Sequence, residues 1–315
     1  VCRAAVSIPD ILRRTIATAE NLQGFVRTMK TLAAISIHQY EQAVAAVADY
    51  ERAVRLGLAA FLNETAPVHP RGSNLAVSKA RKPAIGVVAF GSDHGLCGRF
   101  NEDLAEQIRA VLAQFPGYKQ HVLVVGARLA AVLASTGLFS EQTFHTPAAA
   151  TGIVQTLRQL LPVLEQWRSR GVERLLLCQQ RPQAGMRPTP YTLALLPLDP
   201  LMFQNSGPWP GRSLPSHYGD RAALLSALLN EWLFIVFFRA CAESLAGEHA
   251  SRLLAMQNAE RNIEDKLATL HALYHQQRQE AITTELLDVV VGFEALLNSF
   301  PDRDKPAEHS RLDLN

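Results

Sequence analysis

The chain has little cysteine, and what it has is scattered. Cys2, Cys97, Cys178 and Cys241 form no CxxC pair and have no histidines at zinc-ligand spacing. That excludes a disulfide framework or a structural zinc site and fits a reducing compartment. Charge of either sign is not in excess: the net charge is +2 at neutral pH. A general nucleic-acid binder needs a concentrated basic surface, which this balance does not supply. No Gly-x-Gly-x-x-Gly run and no Gly-Lys-Ser/Thr occurs, so neither a dinucleotide fingerprint nor a P-loop is present. The start, VCRAAVSIPD, has no apolar core of a secretory signal and no Arg- and Ser-rich transit pattern. Proline is absent from two long stretches, one after Pro9 to about Leu62 and one from about Ser216 to Phe300. Without that helix breaker each stretch can run as one helix, the first reaching roughly 80 Å and the second over about 100 Å at helical rise.

Each stretch carries an apolar seam in steps of three and four. The first is read as Ile8, Leu12, Ala19, Leu22, Val26, Met29, Ala33, Tyr40, Val47, Tyr50 and Val54. The second is read as Leu253, Met256, Ile263, Leu267, Leu270 and Tyr274, slipping and resuming as Ile282, Leu286, Val289, Phe293 and Leu296. Helices this long need a partner along their length, and matched seams at opposite ends predict an intramolecular pair. Ser7 is placed as the first helix's N-cap, and Ala33 and Ala281 as small residues that permit close approach. Gly219, Gly247 and Gly292 are expected weak points of the second helix. Ala222–Ala242 has nearly the length of a membrane span, but Asn230, Glu231 and Arg239 interrupt it. It reads better as helix buried against the central domain.

The middle changes period. Ala84–Phe90 and His121–Val125 read as buried strands, and Arg174–Gln179 and Tyr191–Leu196 as two more separated by a turn-rich link. Helices are expected at Asn101–Phe115, Arg128–Thr136 and Thr151–Arg170, with Pro162 a candidate kink. Alternating strands and helices predict an α/β domain with a mostly parallel sheet. The expected organisation is an N-terminal coiled-coil helix at 1–62, a linker at 63–82, a Rossmann-like α/β domain at 83–215, a C-terminal coiled-coil helix at 216–300 and a polar tail at 301–315. Pro197–Pro215, with five prolines, reads as loop.

Two segments invite a chemical reading. After the first strand comes Gly91-Ser92-Asp93-His94-Gly95-Leu96-Cys97-Gly98, a turn that a nucleotide-binding enzyme could use for phosphate. Asp93, His94 and Cys97 resemble a nucleophile with a base. A tight turn presenting side chains to a partner is the stronger reading. Arg278-Gln279-Glu280-Ala281-Ile282-Thr283-Thr284-Glu285 places polar groups where the second seam slips, which locally changes a supercoil; the plainer reading is a solvated helix face.

Taken together, ILRRTIATAENLQGFVRTMKTLAA, SDHGLCGRFN and RLLAMQNAERNIEDKLATLHALYHQQRQEAITTELLDVVVGFEAL resemble the γ subunits of F-type ATP synthases, the central rotor shaft, in order and over nearly the whole chain. The resemblance implies an antiparallel coiled coil of the two end helices with a Rossmann-like domain at its base. It implies a subunit without catalysis, cofactor or metal, partnered by an α3β3 hexamer, an ε subunit and a membrane c-ring. Such a subunit lies peripheral to the bacterial inner membrane on the cytoplasmic side. It implies that Met29, Lys30, Arg278, Gln279, Thr283 and Glu285 meet the catch loops of α and β. Ser92, Asp93, His94, Gly95, Leu96, Cys97 and Gly98 match a loop facing β and ε. Departures at His94, at Ser36-Ile37-His38, at Phe293 and in the polar tail point to a divergent, alternate sodium-type branch. Two other readings are a nucleotide-binding α/β enzyme and a free-standing coiled-coil scaffold.

Overall fold

The computed structural model describes residues 8–63, 83–183, 186–199, 201–204, 209 and 219–299. The expected cap at Ser7, nearly all of the linker 63–82, the tail 301–315 and much of 197–215 lie outside them. The elements are α1 (Ile8–Asn63), β1 (Ala84–Phe90), α2 (Phe100–Leu112), β2 (Lys119–Val125), α3 (Ala127–Ser135), β3 (Gln142–Phe144), α4 (Ile153–Ser169), β4 (Val172–Gln183), β5 (Met186–Leu196), a one-turn α5 (Leu201–Gln204) and α6 (Arg221–Ser299). The chain divides into two compact units, one of residues 26–259 and one of 1–25 with 260–315.

In the larger unit the sheet order is β3-β2-β1-β4-β5. β1 pairs in parallel with β2 and β4, β2 in parallel with β3, and β5 runs antiparallel to β4. Strand alternation sends side chains to two separate cores. Ile85, Val87, Ala89, Val122, Val124, Leu176 and Cys178 pack under α2 and α3. Ala84, Val88, Phe90, Leu123, Val125, Leu175 and Leu177 join α4 and the long helices, through Leu58, Trp232, Ile235, Phe237 and Leu245. Helices on both faces are what a mainly parallel sheet requires. Gly86 makes room for Trp167: an added Cβ would lie 2.7 Å from the indole ring.

Two departures from expectation concern the sheet. The short edge strand β3 was not foreseen. The supposed link between the last two strands is itself strand, forming the ends of a long β4–β5 hairpin. Two of its prolines, Pro188 and Pro190, stand in the edge strand, where the outer side has no ladder to break, and the third, Pro182, falls at a register irregularity near the end of β4.

Within this unit α1 and α6 run antiparallel. Phe61 carbonyl accepts from Arg221 at 3.3 Å, Tyr50 hydroxyl donates to Glu231 at 2.5 Å, Arg239 pairs with Glu51 at 2.9 Å, and Tyr40 stacks on His249. The seam of α1 differs from its apolar pattern. Covered positions repeat every seven residues as Leu12, Ala19, Val26, Ala33, Tyr40, Val47 and Val54. The second column is Ile16, Gln23, Lys30, Ile37, Val44, Glu51 and Leu58. Leu22, Met29 and Tyr50 are exposed. Gln23, Lys30 and Glu51 occupy the seam because long polar side chains can lay their stems along it and keep their heads outside.

The apolar segment Ala222–Ala242 reads as expected in part. Trp232, Ile235 and Phe237 are buried in the sheet-side core. By length and composition α6 also contains an 18-residue window of mean hydropathy 1.6, of which 28% is buried. Gly247 does not break α6: its missing side chain lets the helix approach the hairpin, where a Cβ would sit 3.3 Å from the Gln180 carbonyl and 3.4 Å from Pro188. Gly292 also lies in unbroken helix.

In the smaller unit Gln23 donates to Glu264 at 3.2 Å. Among its described residues Ile16 and Leu270 are the buried apolar ones, with Ile263, Leu267 and Tyr274 half-buried. Beyond Gln277 every residue of α6 as far as Leu296 is exposed. The resumed seam therefore has no cover within the described chain, and Ala281 is not at a close helix contact.

Candidate interaction surface

Two surfaces collect the residues singled out from sequence. The first is the loop joining β1 to α2. Its glycines answer to geometry. A Cβ on Gly91 would lie 2.3 Å from Leu129 Cβ, and one on Gly126, just before α3, would lie 2.8 Å from the backbone of Gly91 and Ser92. Leu96 and Gly98 take positive φ angles, 63° and 60°, so the chain reverses over the tip.

The side chains of Ser92 and Asp93 turn inward and hold the loop in place. The Ser92 amide donates to Asn101 Oδ1 at 3.1 Å, and Asn101 Nδ2 donates to Ser92 Oγ at 2.8 Å. Ser92 Oγ donates to the His94 carbonyl at 2.8 Å. Asp93 caps two segments. One carboxylate oxygen accepts from the Ala127 amide at α3's start at 2.7 Å. The other accepts from the Thr146 amide at 2.9 Å, the Thr146 hydroxyl at 3.0 Å and His145 at 3.3 Å. Burial raises this carboxyl's pKa, but the four donors outweigh it and hold the group below its ordinary value.

This sorts the loop. Ser92, Asp93 and Cys97 lock it, while His94, Gly95, Gly98 and Leu96, the last 62% exposed, are presented. Cys97 is buried, and burial raises its thiol pKa. The sulfur lies 3.7 Å from the His94 carbonyl, which is not a base, so no activated nucleophile is assembled. Nor is a phosphate cradle formed: the Ser92 amide is already taken. Glu102 and Asp103 stand in the first turn of α2, where an anion would meet like charge.

Behind the tip lies a buried polar cluster that the sequence did not flag. Arg252 donates to Glu248 at 2.6 Å, to His249 Nδ1 at 3.2 Å and to the Gly95 carbonyl at 3.4 Å. The Glu248–Arg252 spacing of four was the one available signal, and on a surface helix it reads as an ordinary ion pair. Burial, then the Arg252 charge, pushes His249 down to about 4. The folded chain thus refuses a proton that an unfolded histidine binds below about 6.5. Stability from this group is complete above pH 6.5 and is lost as pH falls through 4, by at most about 3 kcal/mol before solvent screening. Glu248 acts oppositely: burial raises its carboxyl, although Arg252 counters that. Urea unfolding at pH 7 and pH 4.5 should therefore show a smaller acid loss in His249→Gln than in the parent. Equal losses would remove His249 from the account.

The second surface is α6 from Arg278 to Leu296. Arg278, Gln279, Thr283 and Glu285 are all exposed. Thr283 hydroxyl donates only to the Gln279 carbonyl one turn back, at 2.9 Å. After them Leu286, Leu287, Val289, Val290, Val291, Phe293 and Leu296 form a broad exposed apolar arc, Val289 being 70% exposed, with Asp288 and Gly292 on the remaining side and Glu294 within the arc. On α1, Met29 is exposed while Lys30 is half-buried in the seam.

Comparison with known proteins gives a consistent set of relatives. A family model described as ATP synthase matches residues 10–296. An ATP synthase gamma chain of Neisseria gonorrhoeae is 25% identical over 290 residues, covering 89% of this chain and 97% of that one. One from Phocaeicola vulgatus is 26% identical over 282 residues, covering 88% and 96%. Among solved structures, a chain of the Euglena gracilis mitochondrial ATP synthase OSCP/F1/c-ring assembly aligns with a TM-score of 0.60 at 15% identity, covering 96% of this chain and 98% of that one. A chain of the Tetrahymena thermophila central stalk and c-ring aligns at 0.55 with 18% identity, covering 75% and 99%.

Proposed function

We infer, from the premise that this chain belongs to the ATP synthase gamma family, that it is the central-stalk rotor subunit of an F1Fo ATP synthase. Rotation of a c-ring driven by ion flow turns the subunit. Its turning imposes successive conformations on the β catalytic sites, and ATP hydrolysis drives the same motion backwards. The chain performs no chemistry of its own. It works peripherally, on the cytoplasmic side of a bacterial inner membrane, with an α3β3 hexamer, an ε subunit and the c-ring as partners.

The observation that carries this reading is the uncovered apolar helix after Gln277. A stretch that leaves large apolar side chains exposed over more than half of its circumference calls for an apolar surround. Polar side chains at Arg278, Gln279, Thr283 and Glu285 stand at its edge and supply the directional contacts to the catch loops, together with Met29 and Lys30. The tip His94–Gly95–Leu96 faces β and ε.

Gln279→Ala combined with Thr283→Ala removes two exposed side chains without opening a core. A tagged chain recovered from membranes should bring down α, β, ε and c subunits. The doubly substituted complex should assemble with a several-fold lower coupled ATPase turnover and an unchanged unfolding midpoint of the free chain. Unchanged turnover in the assembled complex would sink these contacts. The coupling ion is chosen by c-ring carboxylates, so the recovered c subunit identifies it.

A further inference from the structure

Four segments distant in sequence are joined by a closed circuit of contacts in the larger unit. Tyr40 on α1 is 2% exposed, and its hydroxyl donates to the Pro147 carbonyl at 3.1 Å. Its ring lies on His249 of α6, with centroids 5.7 Å apart and planes 14° from parallel. His249 Nδ1 accepts from Arg252, and Arg252 reaches the Gly95 carbonyl in the tip. Two residues back along the loop, Asp93 binds Thr146, the neighbour of Pro147. The circuit closes there.

We propose that Tyr40, His249 and Arg252 are positioning residues that tie the His94–Gly95–Leu96 tip to both long helices, so that the tip turns with the helix pair and keeps a fixed offset from it. The proposal rests on the reading of the tip as a partner contact. A loop held only by its own hydrogen bonds would keep its shape but not its placement. Asp93 ties the loop to Ala127 and Thr146, and its placement against the long helices comes from a guanidinium whose orientation is fixed by a carboxylate and an imidazole and from an aromatic ring whose hydroxyl binds Pro147, next to Thr146. His249 has to remain a neutral acceptor, because a cation at that point would face Arg252 and release it. Burial of the imidazole favours the neutral form.

Cys97, buried beneath the tip, gives a direct probe, and Cys178, buried within β4, gives a reference. The experiment follows alkylation of both thiols in the full chain by mass spectrometry. Three variants are compared: His249→Lys, which adds a cation, His249→Gln, which keeps a neutral acceptor, and Tyr40→Phe, which removes only the hydroxyl. Cys97 should react at least about tenfold faster in His249→Lys, by local opening of the loop. Tyr40→Phe should lie between that and the parent, His249→Gln should stay near the parent, and Cys178 should not change. Equal rates in the Lys and Gln variants, or Cys178 rising in step with Cys97, would overturn the proposal. The same variants in the assembled complex separate the two readings. Faster Cys97 labelling with lower coupled turnover supports both. Faster labelling with intact turnover upholds the tie and overturns the role of the tip as a partner contact.

Discussion

Gly126→Ala should lower the stability of the folded chain by at least about 3 kcal/mol, more than any substitution on the exposed end of α6. Two costs combine. Gly126 sits at φ 122°, where a residue with a Cβ is strained by about 1–3 kcal/mol. The new Cβ would also lie 2.8 Å from Gly91 and Ser92 backbone atoms, and backbone cannot step aside as the end of a side chain can. Relief would come from pulling α3 away from the loop. That would break the bonds from the Arg128 amide to the Ser92 carbonyl at 2.9 Å and from the Ala127 amide to Asp93. Urea unfolding measures the loss. A variant within about 1 kcal/mol of the parent would mean that the loop is soft enough to absorb the clash, and then it is not the rigid mount described above.

The second large effect is electrostatic. Arg252→Leu leaves Glu248, a buried carboxylate, without its partner 2.6 Å away. Removing one member of a buried pair costs about 3–5 kcal/mol, because the remaining charge has lost both water and counter-charge. The sign of its pH dependence follows from linkage. Burial already raises the Glu248 carboxyl, and Arg252 is the main influence pulling it down. Without the arginine the folded-state pKa rises further, and the folded variant takes up a proton at a pH where the unfolded chain does not. The penalty should therefore be largest near pH 7.5 and smaller at pH 5. His249 pushes the same way, since the Arg252 charge helps to hold its pKa down. A penalty equal at both pH values would assign the loss to packing of the arginine stem instead.

These expectations came from coordinates, and the seam of α1 shows why sequence could not supply them. The column Leu12, Ala19, Val26, Ala33, Tyr40, Val47, Val54 was readable because its members are apolar at one spacing. Its companion was misplaced onto Leu22, Met29 and Tyr50, which are apolar but exposed. The true companion holds Gln23, Lys30 and Glu51, which residue type alone sends to the surface. Periodicity finds apolar stripes, and it cannot tell which of two adjacent stripes is packed and which is exposed. The strands were readable where β-branched runs are dense. They were missed where prolines and glutamines extend β4 and β5, because residue type sends such positions to the surface although Gln180 and Pro188 are buried. In the loop, the motif marked the turn between β1 and α2. The division into Ser92, Asp93 and Cys97 turned inward and Leu96 turned out depends on backbone reversal at Leu96 and Gly98, which no spacing announces.

The uncovered end of α6 has a consequence for how the chain is kept in a cell. Leu286, Val289, Phe293 and their neighbours are as adhesive toward another copy, or toward a chaperone, as toward any partner that takes them up. Among the described residues nothing covers them. On the function proposed above, the chain's supply has to be matched to that of its partner subunits, because surplus copies would be exposed to aggregation and proteolysis.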